Sequence, residues 1–119
     1  MKRTIISLFL IVLTGAAQVE AHAFLKDAEP GVGSTIQACP SEVRIRFTEN
    51  IEPAFSSIQV LDASGKEVDK RDVHLDRSDH ALLQVSLPRL GAGIYKVVWR
   101  VVSVDTHVTN GSFTFRVSR

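Results

Sequence analysis

The sequence predicts an all-β domain, a small Ig-like Greek-key β-sandwich or barrel of about seven strands. Two observations predict it. After residue 21 apolar and polar residues alternate with period 2 in short runs, and no helical period of useful length appears. Turn-forming clusters separate the runs: Pro30-Gly31 with Gly33, Ser64-Gly65, Gly91-Ala92-Gly93 and Asn110-Gly111. Short alternating strands punctuated in this way are the pattern of a small sandwich.

The first 21 residues read differently. Lys2 and Arg3 form a positive start, Ile5 to Leu13 are almost unbroken apolar, and Gly15-Ala16-Ala17-Gln18-Val19-Glu20-Ala21 follows. Val19 and Ala21 occupy the −3 and −1 places of a small-residue cleavage site. This is the pattern of a secretory signal peptide, and the apolar run is short of the ~20 residues a spanning helix needs. An uncleaved anchor is the rival reading; the polar residues directly after the apolar core speak against it. Cleavage after Ala21 makes His22 the first residue of an exported 98-residue domain, residues 22–119, with no membrane-inserted segment. That length suits one domain with one core.

Charge narrows the partners. The chain has 14 basic and 13 acidic residues, and loss of Lys2, Arg3 and Glu20 leaves 12 of each. A neutral domain without a basic patch is not expected to bind nucleic acid. Cys39 is the single cysteine, so no internal disulfide forms, although an exported protein would permit one. Its place in Gln37-Ala38-Cys39-Pro40, just ahead of a strand, suits a buried small apolar residue better than a ligand.

The strands follow in order. The segment after His22, Ala23-Phe24-Leu25, opens the series. In Val43-Arg44-Ile45-Arg46-Phe47 the apolar residues face one way and the arginines the other. Ile58 and Val60 alternate with Ser57 and Gln59, and Leu83, Val85 and Leu87 with Gln84 and Ser86. Tyr95, Val97, Trp99 and Val101 form the longest candidate, and Phe113, Phe115 and Val117 close the chain. Trp99 and the phenylalanines are expected between the sheets. The polar stretch from Lys66 to His80 is the least regular part, a long loop or weak edge strands.

Asp105 and His107 carry the chemistry. At i and i+2 of an extended segment both side chains fall on one face, with Thr106 turned away. A carboxylate oxygen and an imidazole nitrogen make half a metal site, and His22 supplies the other half if cleavage frees it. An N-terminal histidine binds one metal through both its α-amine and its Nδ1. Three nitrogens and one oxygen in tetragonal geometry suit Cu(II), which also heads the affinity order of the divalent first-row metals. Taken singly, each piece has a plainer reading: a solvated histidine, or an aspartate capping backbone amides. The conjunction favours metal. His74 and His80, with Asp72, Asp76 or Asp79, offer a second grouping of ligand types, but as solvated loop histidines they need no metal.

Essentially the whole domain resembles the CopC family of periplasmic copper-binding proteins. The resemblance rests on His22 with Pro30, on Val43–Glu49 (VRIRFTE), on Gly93-Ile94-Tyr95, and on Trp99–His107 (WRVVSVDTH) followed by Gly111 and Phe115. It implies one Cu(II) per chain, held by His22, Asp105 and His107, with Glu49 next to the ligands as an orienting residue. It also implies a periplasmic location and a role in copper homeostasis or resistance, by sequestration or by delivery to a CopD-like inner-membrane partner. No enzymatic turnover is implied. The sequence departs from the family twice. Thr106 stands where members often have glycine, which matters if the backbone there needs positive φ. The only methionine is Met1, so the thioethers of a Cu(I) site are absent.

Two other functions fit parts of the pattern. A copper site built on an N-terminal histidine is also the centre of oxidative polysaccharide-cleaving enzymes. Those need an open coordination position and a flat aromatic face, whereas Trp99 and Tyr95 lie in the core phase here. A metal-free Ig-like interaction module accounts for strands and export, but not for His22 at the cleavage point or for Asp105 two residues from His107.

Overall fold

The computed structural model describes residues 23–119. Eight strands form among them: β1 (Leu25–Glu29), β2 (Thr35–Ile36), β3 (Glu42–Phe47), β4 (Ser57–Leu61), β5 (His74–Leu75), β6 (Leu82–Ser86), β7 (Gly93–Val102) and β8 (Val108–Val117). A single 3-10 turn, Pro53–Phe55, lies between β3 and β4. The strands make two four-stranded sheets, ordered β1-β3-β6-β5 and β2-β8-β7-β4. The chain changes sheet after β1, β2, β3, β4 and β6, so most connections cross from one layer to the other. All pairings are antiparallel except the short β2–β8 pair. The β-sandwich expected from the alternation is the observed fold. Six strands match the runs named above, β5 is a weak edge strand within Lys66–His80, and β2, too short to show a period, brings the number to eight.

Alternation decides which faces meet. In β3, Val43, Ile45 and Phe47 are buried while Glu42, Arg44 and Arg46 lie between them on the other face. In β7, Tyr95, Val97, Trp99 and Val101 point inward, and in β8 Phe113, Phe115 and Val117 do. Trp99 meets the Phe47 ring edge-on across the layers, with centroids 5.1 Å apart, and Tyr95 stacks on Phe115 at 5.6 Å. Such pairs add to the area buried because ring edges are electropositive and faces electronegative.

One expected turn is a strand interior. Asn110 and Gly111 lie within β8, opposite Arg100 and Trp99. A Cβ on Gly111 would stand 2.6 Å from Trp99 Cζ2, so glycine is there for the close approach of the indole and not for a bend. The chain reverses earlier, over residues 103–107.

The stretch Lys66–His80 wraps the edges of both sheets. The buried carboxylate of Asp69 accepts from Val60 N at 2.8 Å and from Arg71 N at 3.2 Å, tying the stretch to β4. Further on, His74 and Leu75 pair with Gln84 and Leu83 as the edge strand β5. On the outer face of the first sheet, Arg46 bridges Asp27 at 2.9 Å and Asp79 at 3.1 Å.

Candidate metal centre

β7 and β8 are the longest strands, and five residues, Ser103 to His107, join them. Ser103 N donates to the carbonyl of His107 at 2.9 Å, and Thr106 N to the carbonyl of Ser103 at 2.8 Å, closing a tight reversal. Thr106 sits at φ +72°, in the left-handed region. The extended geometry expected for Asp105-Thr106-His107 is therefore not what aligns the two side chains. The turn does it. Asp105 Oδ1 stands 3.2 Å from His107 Nδ1, with the side chains 42% and 45% exposed, so the pair is open to solvent and to a metal arriving from it.

Beneath the pair lies Ser103, wholly buried. Its hydroxyl donates to Asp105 Oδ1 and accepts from His107 N at 3.3 Å. The bond from Ser103, followed by that from His107, holds the Asp105 carboxyl below the usual carboxylate range. The carboxylate is thus ionised at neutral pH, as a ligand must be. Ser103 lies within the motif Trp99–His107, yet spacing alone assigns it no part in the site. The signal was a serine two residues before the aspartate, at the end of a buried strand.

Two neighbouring segments close on this turn. Val104 N donates to the carbonyl of Asn50 at 3.0 Å, and Ile51 bridges to Ser103. Glu49, half-buried, directly precedes Asn50 and directly follows Thr48, so it lies in the segment packed against the turn. The start of the described chain arrives from the other side. The buried Ala23 accepts from Thr109 Oγ1 at 2.5 Å through its carbonyl, and Phe24 N donates to Thr48 Oγ1 at 2.9 Å. Thr109 is two residues beyond His107. His22, expected as the first ligand, lies outside the described residues, as do the cleavage site and residues 1–21.

The structure brings together two of the three expected ligands, and no group of three or more metal-binding side chains gathers among the described residues. The second grouping does not form. Asp72 accepts from Ser86 N, Asp76 from Ser78 and Gln84, and Asp79 from Ala81 N and Arg46. These carboxylates are spent on loop and sheet edges. His74 donates through Nδ1 to the carbonyl of Asp72 at 2.7 Å. Cys39 packs half-buried against the core, and its sulfur accepts from Leu90 N at 2.9 Å, away from the turn.

Residues 25–118 match the family model of the CopC domain. The chain belongs to the CopC family. It is 37% identical to CopC from Methylosinus trichosporium OB3b, whose crystal structure superposes with a TM-score of 0.77 over 82% of this chain and 94% of that one. PcoC, a methionine-rich copper resistance protein from Escherichia coli, is 32% identical with a TM-score of 0.74, covering 82% of this chain and all of its own. The copper transport protein CutJ of Bacillus subtilis is 30% identical over 97% of this chain. The chain spans only 21% of the length of CutJ, so most of that protein has no counterpart in the match.

Proposed function

We propose that this CopC-family chain is an exported, periplasmic Cu(II)-binding protein of copper homeostasis or resistance. One Cu(II) is held by the α-amine and Nδ1 of His22, the carboxylate of Asp105 and the imidazole of His107. The approach of Asp105 to His107 within a turn, at 3.2 Å, carries this reading. It is supported by Ala23, whose carbonyl is bonded two residues beyond His107 and which directly follows His22 in the chain. The names of the relatives concern copper transport and resistance. The donor set of three nitrogens and one oxygen suits Cu(II), and the absence of methionine beyond Met1 sets the chain apart from a thioether Cu(I) site. Glu49, in the segment against the turn, orients the ligands from outside the coordination sphere.

Within this reading the residues divide the work. Asp105 arrives already ionised, so it adds charge without releasing a proton. Imidazole and amine donors bind metal only in their deprotonated forms, so affinity falls as pH drops. Binding is the function and no turnover is needed. The partner is a CopD-like inner-membrane copper protein; CutJ, a copper transport protein in which a CopC-like segment is part of a longer chain, supports that choice.

The test is Cu(II) titration with electron paramagnetic resonance on two samples. One is expressed through its own export signal, and the other carries one extra residue ahead of His22. The first is expected to give a single tight tetragonal signal with nitrogen ligation, and the second a weaker or altered one. Equal, weak binding in both would remove the amino-terminal chelate. Copper-dependent oxidation driven by peroxide would replace the binding role with an oxidative one.

A further inference from the structure

The backbone of residues 103–107 is closed without any side chain, through Ser103 N to the His107 carbonyl and Thr106 N to the Ser103 carbonyl. Any residue at 103 except proline would supply those bonds. What serine adds is a hydroxyl in a wholly buried position, directed at Asp105 Oδ1 and at His107 N. A hydroxyl has one proton to give and lone pairs to accept with, and here both functions are used on the two residues of the candidate centre. Burial makes that bond worth more than its exposed equivalent, because the serine has no water to turn to. Asp105 is two-fifths exposed and would otherwise sample several rotamers in solvent.

We propose that Ser103 is the positioning residue of the metal centre: its buried hydroxyl holds one oxygen of Asp105, so that the carboxylate is pre-set beside His107 before metal arrives. The proposal rests on the copper-binding reading above for its metal clause, and on the described residues alone for its geometric clause. It gives the Ser-x-Asp-x-His spacing a mechanism. The serine ends the buried phase of β7, the aspartate sits at the tip of the turn, and the histidine leads into β8. A fixed ligand loses less rotamer freedom on binding, and displaced orienting partners at metal sites cost roughly 10–100-fold in affinity.

The experiment compares the exported parent with Ser103→Ala, Ser103→Thr, Asp105→Ala and the double variant Ser103→Ala/Asp105→Ala. Cu(II) affinity, electron paramagnetic resonance and, in the metal-free proteins, the Hα–Hβ couplings of residue 105 by nuclear magnetic resonance are measured. Ser103→Ala is expected to weaken Cu(II) by roughly 10–100-fold and to shift the resonance parameters. Ser103→Thr, which keeps the hydroxyl, is expected to recover most of the loss. In the Asp105→Ala background the serine change should cost nothing further, whereas an equal cost there would reduce Ser103 to a support for the fold. The Asp105 couplings should report one rotamer in the parent and averaging in Ser103→Ala. Unchanged couplings would overturn the role of the serine even if copper binds. Failure of the parent to take copper, with the couplings behaving as expected, would overturn the copper reading and the metal clause but not the geometry.

Discussion

Trp99 and Gly111 face each other across β7 and β8, and a Cβ added to residue 111 would stand 2.6 Å from Cζ2 and 3.0 Å from Cε2 of the indole. The indole is also the ring that meets Phe47 across the sandwich. It has little room to yield without losing that contact. Gly111→Ala is therefore expected to destabilise the domain by about 1–3 kcal/mol, the usual range for overpacking. Urea denaturation followed by tryptophan fluorescence would measure it, and an unchanged midpoint would mean the hairpin opens freely there.

Thr106 holds φ +72° although it is β-branched, a conformation that costs an L-residue roughly 1–2 kcal/mol. Its hydroxyl donates to the carbonyl of Asp105, a bond that recovers part of the cost. Glycine would remove the strain at the expense of a more flexible unfolded chain. Thr106→Gly is expected to stabilise the protein by about 0.5–1 kcal/mol, since strain relief outweighs that entropy. Thermal unfolding checks the sign. A marked loss of stability would show that the threonine hydroxyl holds the turn.

Acid sensitivity follows from Asp105, described above, and from four further aspartates. Ser64 at Asp62, Ser86 at Asp72, Ser78 at Asp76 and the Ala81 amide with Arg46 at Asp79 each lower the carboxyl below its ordinary 3.8. A carboxyl depressed on folding binds fewer protons in the native state. Its contribution is full above the unfolded value and is lost as pH falls below about 3.8 through the folded values. Glu67 opposes them: burial and the neighbouring Asp69 raise its carboxyl, so its contribution falls as pH rises past 4.5. Denaturant midpoints between pH 2 and 7 should drop steeply on the acid side. In Asp72→Asn that acid limb should be shallower, and an identical limb would remove Asp72 from the account.

His107→Ala separates a metal centre from a plain scaffold. The ring is nearly half exposed, so its removal should change metal-free stability by no more than about 0.5 kcal/mol. Cu(II) affinity should nevertheless fall by orders of magnitude, with loss of nitrogen couplings in the resonance spectrum. Copper binding equal to that of the parent would exclude His107 from the centre.

Much of this architecture is legible in the alternation itself. Val43-Arg44-Ile45-Arg46-Phe47 and Tyr95 to Val101 have one face fit for burial and one fit for water, and they fold accordingly. β2 was not legible, because two residues carry no period and its pairing is decided by a strand far along the chain, whereas β5 falls in the Lys66–His80 stretch that reads as a loop or weak edge strands. Asn110-Gly111 misled because the same dipeptide serves a type I′ turn and a close contact, and only Trp99 across the sheet distinguishes them. For the site, the identities of Asp105 and His107 were readable but their geometry was not. Spacing of two residues suits both a strand face and a tight turn, and the backbone chose the turn. The part of Ser103 becomes visible only when its burial is known.

Ala23 and Thr109 are 86 residues apart in the chain and are joined by a hydrogen bond beside the candidate centre. β1 can pair with β3 earlier, but Ala23 gains its bond to Thr109 only after the last hairpin exists. During synthesis, when β8 is the last strand to emerge, the candidate centre cannot yet be assembled. Long-range closure of this kind also slows folding, because the entropy of joining distant segments is spent before the contacts that reward it form. A chain that lost its final strand would keep β1 paired with β3 but would lose the bond that seats Ala23 beside the candidate centre. On the proposed copper-binding reading, capture of the metal would report that the domain had folded through to its last strand.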